Sequence, residues 1–142
     1  MVAAGSVIRS CTAIDGSLTS DFHMHLSVGC LVDTMTLIRD SWEARVRPAG
    51  WPLHGHSATQ CVFWNVEGRT PADGRPYAVW SSQYGWGYVI GTSGPNWTVI
   101  TDADEGTAPA DLVEGAGKGR TLVPQSLYED QLRRRLSLER RQ

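Results

Sequence analysis

Cys30-Leu31-Val32-Asp33-Thr34 and Cys61-Val62-Phe63-Trp64-Asn65 are two short strands written in one pattern. Two more segments, Ser6-Val7-Ile8-Arg9-Ser10 and Tyr88-Val89-Ile90-Gly91-Thr92, align with them. Their unequal intervals are what a stacked repeat with loop insertions gives. Upstream, His23-Met24-His25-Leu26-Ser27-Val28-Gly29 precedes the first quoted strand, and His54-Gly55-His56-Ser57-Ala58-Thr59-Gln60 precedes the second in the same register. Strand side chains alternate with a period of two. One face therefore carries Ser6, Ile8 and Ser10, then Cys30, Val32 and Thr34, then Cys61, Phe63 and Asn65, then Tyr88, Ile90 and Thr92. Its centres are apolar, so this face is expected inward. Ser10, Thr34, Asn65 and Thr92 are expected to form a polar ladder at a corner, satisfying turn groups otherwise orphaned. Arg9, Asp33, Trp64 and Gly91 fall on the other face, expected outward.

This pattern predicts an all-β chain wound as a parallel β-helix of about three to four coils over residues 1–100. A β-sandwich is the competing architecture, because short strands with turns suit it too. Phe22, Met24 and Leu26 alternate with His23, His25 and Ser27, which puts the first three in the core and the histidines outside. Met35 to Ile38 and Ala44 to Val46 read as further strands, and Arg69 to Pro76 as an inserted loop. Residues 101–125 are acidic, Gly- and Pro-containing and aperiodic, and are expected to run as an extended strap or linker. Residues 126–142 open on Ser126-Leu127-Tyr128-Glu129, a capping-box pattern. Tyr128, Leu132 and Leu136 then recur at helical spacing, which predicts an amphipathic α-helix from Leu127 to Arg140 docked through those three residues.

Composition narrows the function classes. The net charge is −2, which argues against a general nucleic-acid binder. Lys118 is the only lysine among 13 basic residues. Arg133, Arg134, Arg135, Arg140 and Arg141 crowd the C-terminal half of the helix, where positive charge suits the dipole. No apolar run approaches the roughly 18 residues of a membrane span, so no membrane partner is expected. Residues 1–10 lack the charged and apolar regions of a signal peptide. Cys11, Cys30 and Cys61 are an odd set without metal-type spacing, and Cys30 and Cys61 are expected as free buried thiols. The 6 tryptophans and 4 tyrosines suit a β-rich fold, and they suit sugar binding.

The run from His23 to Asp33 resembles a coil of bacterial right-handed parallel β-helix proteins of the pectate-lyase-like class. Those proteins often carry His-x-Arg-Trp-x-x-Gly-x-Leu-Tyr-Asp-Asn there. His54-Gly55 with Val62-Phe63-Trp64-Asn65 resembles their Gly-His-Gly-Trp segment followed by Val-x-Trp-Asn. Val123-Pro124-Gln125-Ser126-Leu127-Tyr128-Glu129-Asp130-Gln131-Leu132 resembles their Pro-x-Ser-Leu-Tyr-x-x-Gln-Leu ending. The chain departs from the pattern at His25, Leu26 and His56, which stand in place of Arg, Trp and Trp. Members of the class are usually far longer, so the resemblance implies an N-terminally truncated, C-terminal fragment. It implies an extracellular or cell-surface parent that binds or cleaves polysaccharide, as a polysaccharide lyase or glycoside hydrolase would. A tailspike- or adhesin-like attachment module without catalysis is the alternative. It also implies self-association through the open coil end, where strand edges lie unpaired.

Candidate site residues follow from the outward face. Arg9, Asp33, His23 and His54 are the candidates for catalysis. Trp64, His25 and His56 are the candidates for substrate contact, with Trp64 as a stacking surface. The repeat is expected to set His23 beside His54 and His25 beside His56, a solvent-facing imidazole row offering donors and acceptors to sugar hydroxyls. Lyases of the resembling class combine acidic calcium ligands with an Arg or Lys base. No such cluster of aspartates occurs in these strands, so no cofactor is expected here, and calcium is an expectation only for a full-length parent. Flat stacked histidines converge poorly, so no metal site is expected either.

Overall fold

The computed structural model describes residues 3–23, 26–46, 55–101 and 108–140. Its strands are β1 (Val7–Arg9), β2 (Thr12–Ile14), β3 (Ser20–Asp21), β4 (Ser27–Val28), β5 (Leu31–Asp33), β6 (Thr36–Ile38) and β7 (Trp42–Ala44). They continue with β8 (Ala58–Thr59), β9 (Val62–Trp64), β10 (Glu67–Thr70), β11 (Val79–Ser81), β12 (Tyr88–Ile90), β13 (Val99–Ile100) and β14 (Leu112–Glu114). A short 3₁₀ turn (Gly119–Thr121) precedes the helix α1 (Leu127–Glu139).

Every ladder between these strands is parallel, and the strands sort into four sheets. The five-stranded sheet runs β1-β5-β9-β12-β14, the four-stranded sheet β13-β11-β7-β3, the three-stranded sheet β10-β6-β2, and β4 pairs β8. Each sheet gathers one strand from each successive pass of the chain, an arrangement compatible with a β-solenoid.

The corners explain how such short strands stay in register. The residue after each strand of the five-stranded sheet is left-handed: Ser10 (φ 52), Thr34 (φ 54), Asn65 (φ 52), Gly91 (φ 71) and Gly115 (φ 61). That conformation costs a non-glycine residue about 1–2 kcal/mol. It turns the chain while its N–H still bonds the next pass, from Ser10 to the Asp33 carbonyl at 3.0 Å, Thr34 to Trp64 at 2.9 Å and Asn65 to Ile90 at 2.8 Å. Gly91 does the same, to the Glu114 carbonyl at 2.8 Å, so the first four corner donors are paired. The Ser10 and Thr34 hydroxyls also meet at 3.1 Å, the start of the expected ladder.

Inward side chains form one buried core. Val32 and Phe63 are 0% exposed, with Val89 in line on the next pass. Phe22, Trp42 and Phe63 pack edge to face or tilted, with ring centres 5.8 to 6.4 Å apart. Each such ring is worth about 1.5–3 kcal/mol over exposure. Cys30 and Cys61 are free and buried one above the other, with the Val62 N–H bonding the Cys30 carbonyl at 2.9 Å.

The fourth repeat segment is shifted by one residue. Tyr88, not Val89, stands beside Val62. The residue matching Cys61 is Gly87, so Tyr88 and Ile90 turn outward and Val89 inward, because a one-residue slip exchanges the faces. Only glycine fits there: a Cβ on Gly87 would lie 2.2 Å from the Asp111 carboxylate and 2.4 Å from the Gln83 amide. The corner ladder therefore ends on Gly91 in place of Thr92, whose buried hydroxyl instead donates to the Trp97 carbonyl at 2.8 Å. The alternation around His23 also breaks. Leu26 is exposed and Ser27 buried, because Leu26 (φ 50) is itself left-handed and resets the strand phase. Met24 lies outside the described residues.

The chain after residue 101 does not only strap the surface, since β14 extends the five-stranded sheet beside β12. Helix α1 forms where the capping pattern places it, with the Ser126 hydroxyl accepting from the Glu129 N–H at 3.2 Å. It docks by its first two turns, and the rest of it is exposed. Tyr128 and Leu132 are half-buried, Leu136 is 44% exposed, and no helix residue is fully buried.

Candidate functional site

Two outward rows of side chains carry the polar chemistry. The first crosses the five-stranded sheet, where the register aligns Arg9, Asp33, Trp64, Ile90 and Glu114. Its first three members were expected to meet solvent; Arg9 does, but Trp64 is half-buried and Asp33 fully buried. The C-terminal segment lies on them. The Asp33 carboxylate is 0% exposed and accepts from the Ser126 hydroxyl at 2.6 Å and the Tyr128 N–H at 2.9 Å. Trp64 Nε1 donates to the Pro124 carbonyl at 3.0 Å, and Asn65 Nδ2 to the Gln125 carbonyl at 3.0 Å. Arg9 pairs with Glu129 and lies over the Tyr128 ring, 5.4 Å from its centre. A carboxylate at the first turn complements the positive end of the helix dipole, so Asp33 serves as an external cap that fixes where α1 begins.

The second row crosses the four-stranded sheet. Asp21, Glu43, Trp80 and Ile100 share one outward register. Two residues on, past the first three, come His23, Arg45 and Ser82. Adjacent strands lie about 4.8 Å apart, so these groups reach one another. Glu43 Oε2 accepts from Arg45 Nε at 2.8 Å, and Glu43 Oε1 accepts from the Tyr77 hydroxyl at 2.5 Å. The Arg45 guanidinium lies 4.1 Å from the centre of the Trp80 ring, within cation–π range. Trp80 also meets Tyr77 edge-on at 5.6 Å and donates from Nε1 to the Ser82 hydroxyl at 3.1 Å. His23 Nδ1 sits 3.2 Å from Asp21 Oδ2. Burial, and then the bond to Glu43, push the Tyr77 phenol above the usual tyrosine range, so Tyr77 stays a donor at neutral pH.

This face joins two carboxylates, a guanidinium, an imidazole, a phenol and an indole across three passes of chain. It offers acceptors, donors and an apolar ring together. Its exposure is graded: the His23 side chain is 53% exposed, that of Asp21 15%, and Glu43 is buried.

Of the four histidines, His25 and His54 lie outside the described residues. His23 and His56 are described and have different settings. In the four-stranded register His23 aligns with Arg45, because Asp21 pairs Glu43. His56 is half-buried against the Tyr84 ring at 4.6 Å. Burial holds it below the usual histidine range, with the Asp111 carboxylate opposing that shift. Among the described residues no three His, Cys, Asp or Glu side chains converge as metal ligands.

Asp21, Glu43, Arg45, Tyr77 and Trp80 were missed from sequence. Their signal was the alternation in Trp42-Glu43-Ala44-Arg45 and in Val79-Trp80-Ser81-Ser82, which differ in composition and so do not read as repeats. No family model, no curated protein and no solved structure matches this chain.

Proposed function

We propose that the chain is a right-handed parallel β-helix of the pectate-lyase-like class that recognises polysaccharide, with the outward face of the four-stranded sheet as its binding site. The observation that carries this reading is the Glu43–Arg45–Trp80–Tyr77 cluster beside Asp21 and His23. Sugar hydroxyls need paired donors and acceptors, and the apolar face of a pyranose needs a flat ring. Ligand sites combine these in the same way, a few fixed polar groups around apolar and aromatic lining. The His23 and Asp21 pair supplies the exposed polar edge.

A non-catalytic attachment role is the second reading. Glu43 favours it, being held from both sides by Arg45 and Tyr77 and so committed to structure. The first row gives the same impression, since Arg9, Asp33 and Trp64 hold the chain's own tail.

Native electrophoresis through gels containing polygalacturonate, alginate, hyaluronate or dextran tests the reading. Retardation by at least one polymer, relieved by that polymer free in solution, is the expected result. Migration unchanged in all four ends it. Release of ultraviolet-absorbing unsaturated sugars from a retarding acidic polymer would replace the attachment reading with a lyase.

A further inference from the structure

Beyond β11 the chain carries a run of exposed aromatic residues. From Val79 to Val89, Val79, Ser81, Ser82, Gln83, Gly87 and Val89 are buried and Gly85 is half-buried, whereas Tyr84, Trp86 and Tyr88 are exposed, at 37, 57 and 39%. With Trp80 they form a ribbon of four aromatic rings leading from the four-stranded sheet to the five-stranded one. Exposed aromatics at this density mark binding surfaces.

The ribbon is held from below. Asp111 is 6% exposed, and its carboxylate accepts from the Ser81 hydroxyl at 2.6 Å and from the N–H groups of Gln83, Gly85 and Gly87 at 2.9, 3.0 and 3.2 Å. Those bonds impose a tight turn closed by Trp86 N–H to the Gln83 carbonyl at 3.1 Å, with Tyr84 (φ 58) and Gly85 (φ 74) both left-handed. A bulky aromatic residue is rarely found there, and strain of this kind persists where the surroundings over-determine it, typically at functional positions. A tyrosine kept in a left-handed turn by a buried carboxylate, with its ring at the surface, is an expensive way to fill a loop. Among the described residues from 83 to 89 and 108 to 113, Asp111 is the only one that carries a charge, and it faces inward.

We infer that Tyr84, Trp86 and Tyr88 are a preorganised stacking platform for the uncharged faces of successive sugar rings. They extend the proposed polysaccharide site from Trp80 around the corner of the coil. The inference rests on that site and adds a direction and a chemistry: the bound chain runs along the rings from Trp80 to Tyr88, with its polar groups toward Arg45 and Asp21 and its ring faces on the platform. Because Asp111 fixes the turn beforehand, binding orders little further.

The variants Trp86→Ala and Tyr88→Ala, with Trp86→Phe as the conservative control, are compared by retardation in the gel of whichever test polymer binds the unaltered chain. Each alanine variant is expected to weaken binding about tenfold, the loss of one well-placed aromatic contact. Trp86→Phe is expected to restore most of it, at an unchanged thermal midpoint. Wild-type binding that both alanine variants retain overturns this inference and leaves the sheet-face reading standing. No retardation of the unaltered chain by any polymer overturns both.

Discussion

Two faces of the molecule carry nearly the same kit and use it differently. The five-stranded sheet presents Arg9, Asp33 and Trp64 in one register, and the four-stranded sheet presents Asp21, Glu43 and Trp80 with Arg45 beside them. On the first face every one of those groups is taken by the tail, through Ser126, Tyr128, Pro124 and Glu129. On the second, Glu43 is bonded by Arg45 of its own pass and by Tyr77 of the next, and the His23 side chain is 53% exposed. The residue types alone do not separate an interface for the chain's own helix from a surface left for a ligand. What separates them is where the partners come from.

The comparison breaks first at Glu43. Its carboxylate joins Arg45 and Tyr77 in a buried setting, so Glu43→Ala is expected to cost about 3–5 kcal/mol, the usual penalty for removing one half of a buried charged pair. Urea unfolding measures it. A midpoint within error of the unaltered chain would mean that the second face is not a cooperative unit.

Asp33 gives the matching test on the first face, with a more local effect. Asp33→Ala removes two hydrogen bonds of a buried carboxylate to the helix start, and charge-assisted bonds are worth about 1.5–3 kcal/mol each. The tail contributes little to the core, so that loss should appear in its docking. Amide exchange at Tyr128 and Glu129 is expected to accelerate while the amides of β9 keep their protection. Equal acceleration in β9 would make the tail part of the core, not a covering.

How much of this was legible follows from the same contrast. The passes could be read because alternation and a recurrent small polar residue at the corner are local properties, visible in Ser10, Thr34 and Asn65. The slip at Tyr88 was not legible, since Gly87 is demanded by Asp111 and Gln83 packing into the space a side chain would take. The burial of Asp33 was less legible still. The periodicity does place it outward from the coil, yet the group that covers it is Ser126, 93 residues away along the chain. Arg45 and Trp80 likewise meet only through the register of β7 with β11.

His56 carries the smallest expected effect, packed against the Tyr84 ring of the ribbon. Its protonation is disfavoured in the fold, so the unfolded chain takes up the proton first. The contribution to stability is whole above the unfolded histidine value of about 6.5 and is lost as pH falls through that value toward the lower folded one. Urea midpoints between neutral and mildly acidic pH should therefore fall more for the unaltered chain than for His56→Phe, which keeps a ring against Tyr84. Parallel pH dependence in the two would remove His56 from the acid response.

The most direct test sets the two tryptophans side by side. Trp64→Ala and Trp80→Ala are run in the same gels as the unaltered chain, each containing a polysaccharide that retards it. The account predicts that Trp80→Ala migrates freely or nearly so, whereas Trp64→Ala, altered only where the tail lies, stays retarded. Retention by Trp80→Ala together with loss in Trp64→Ala would place the ligand on the five-stranded sheet and contradict the division of the two faces.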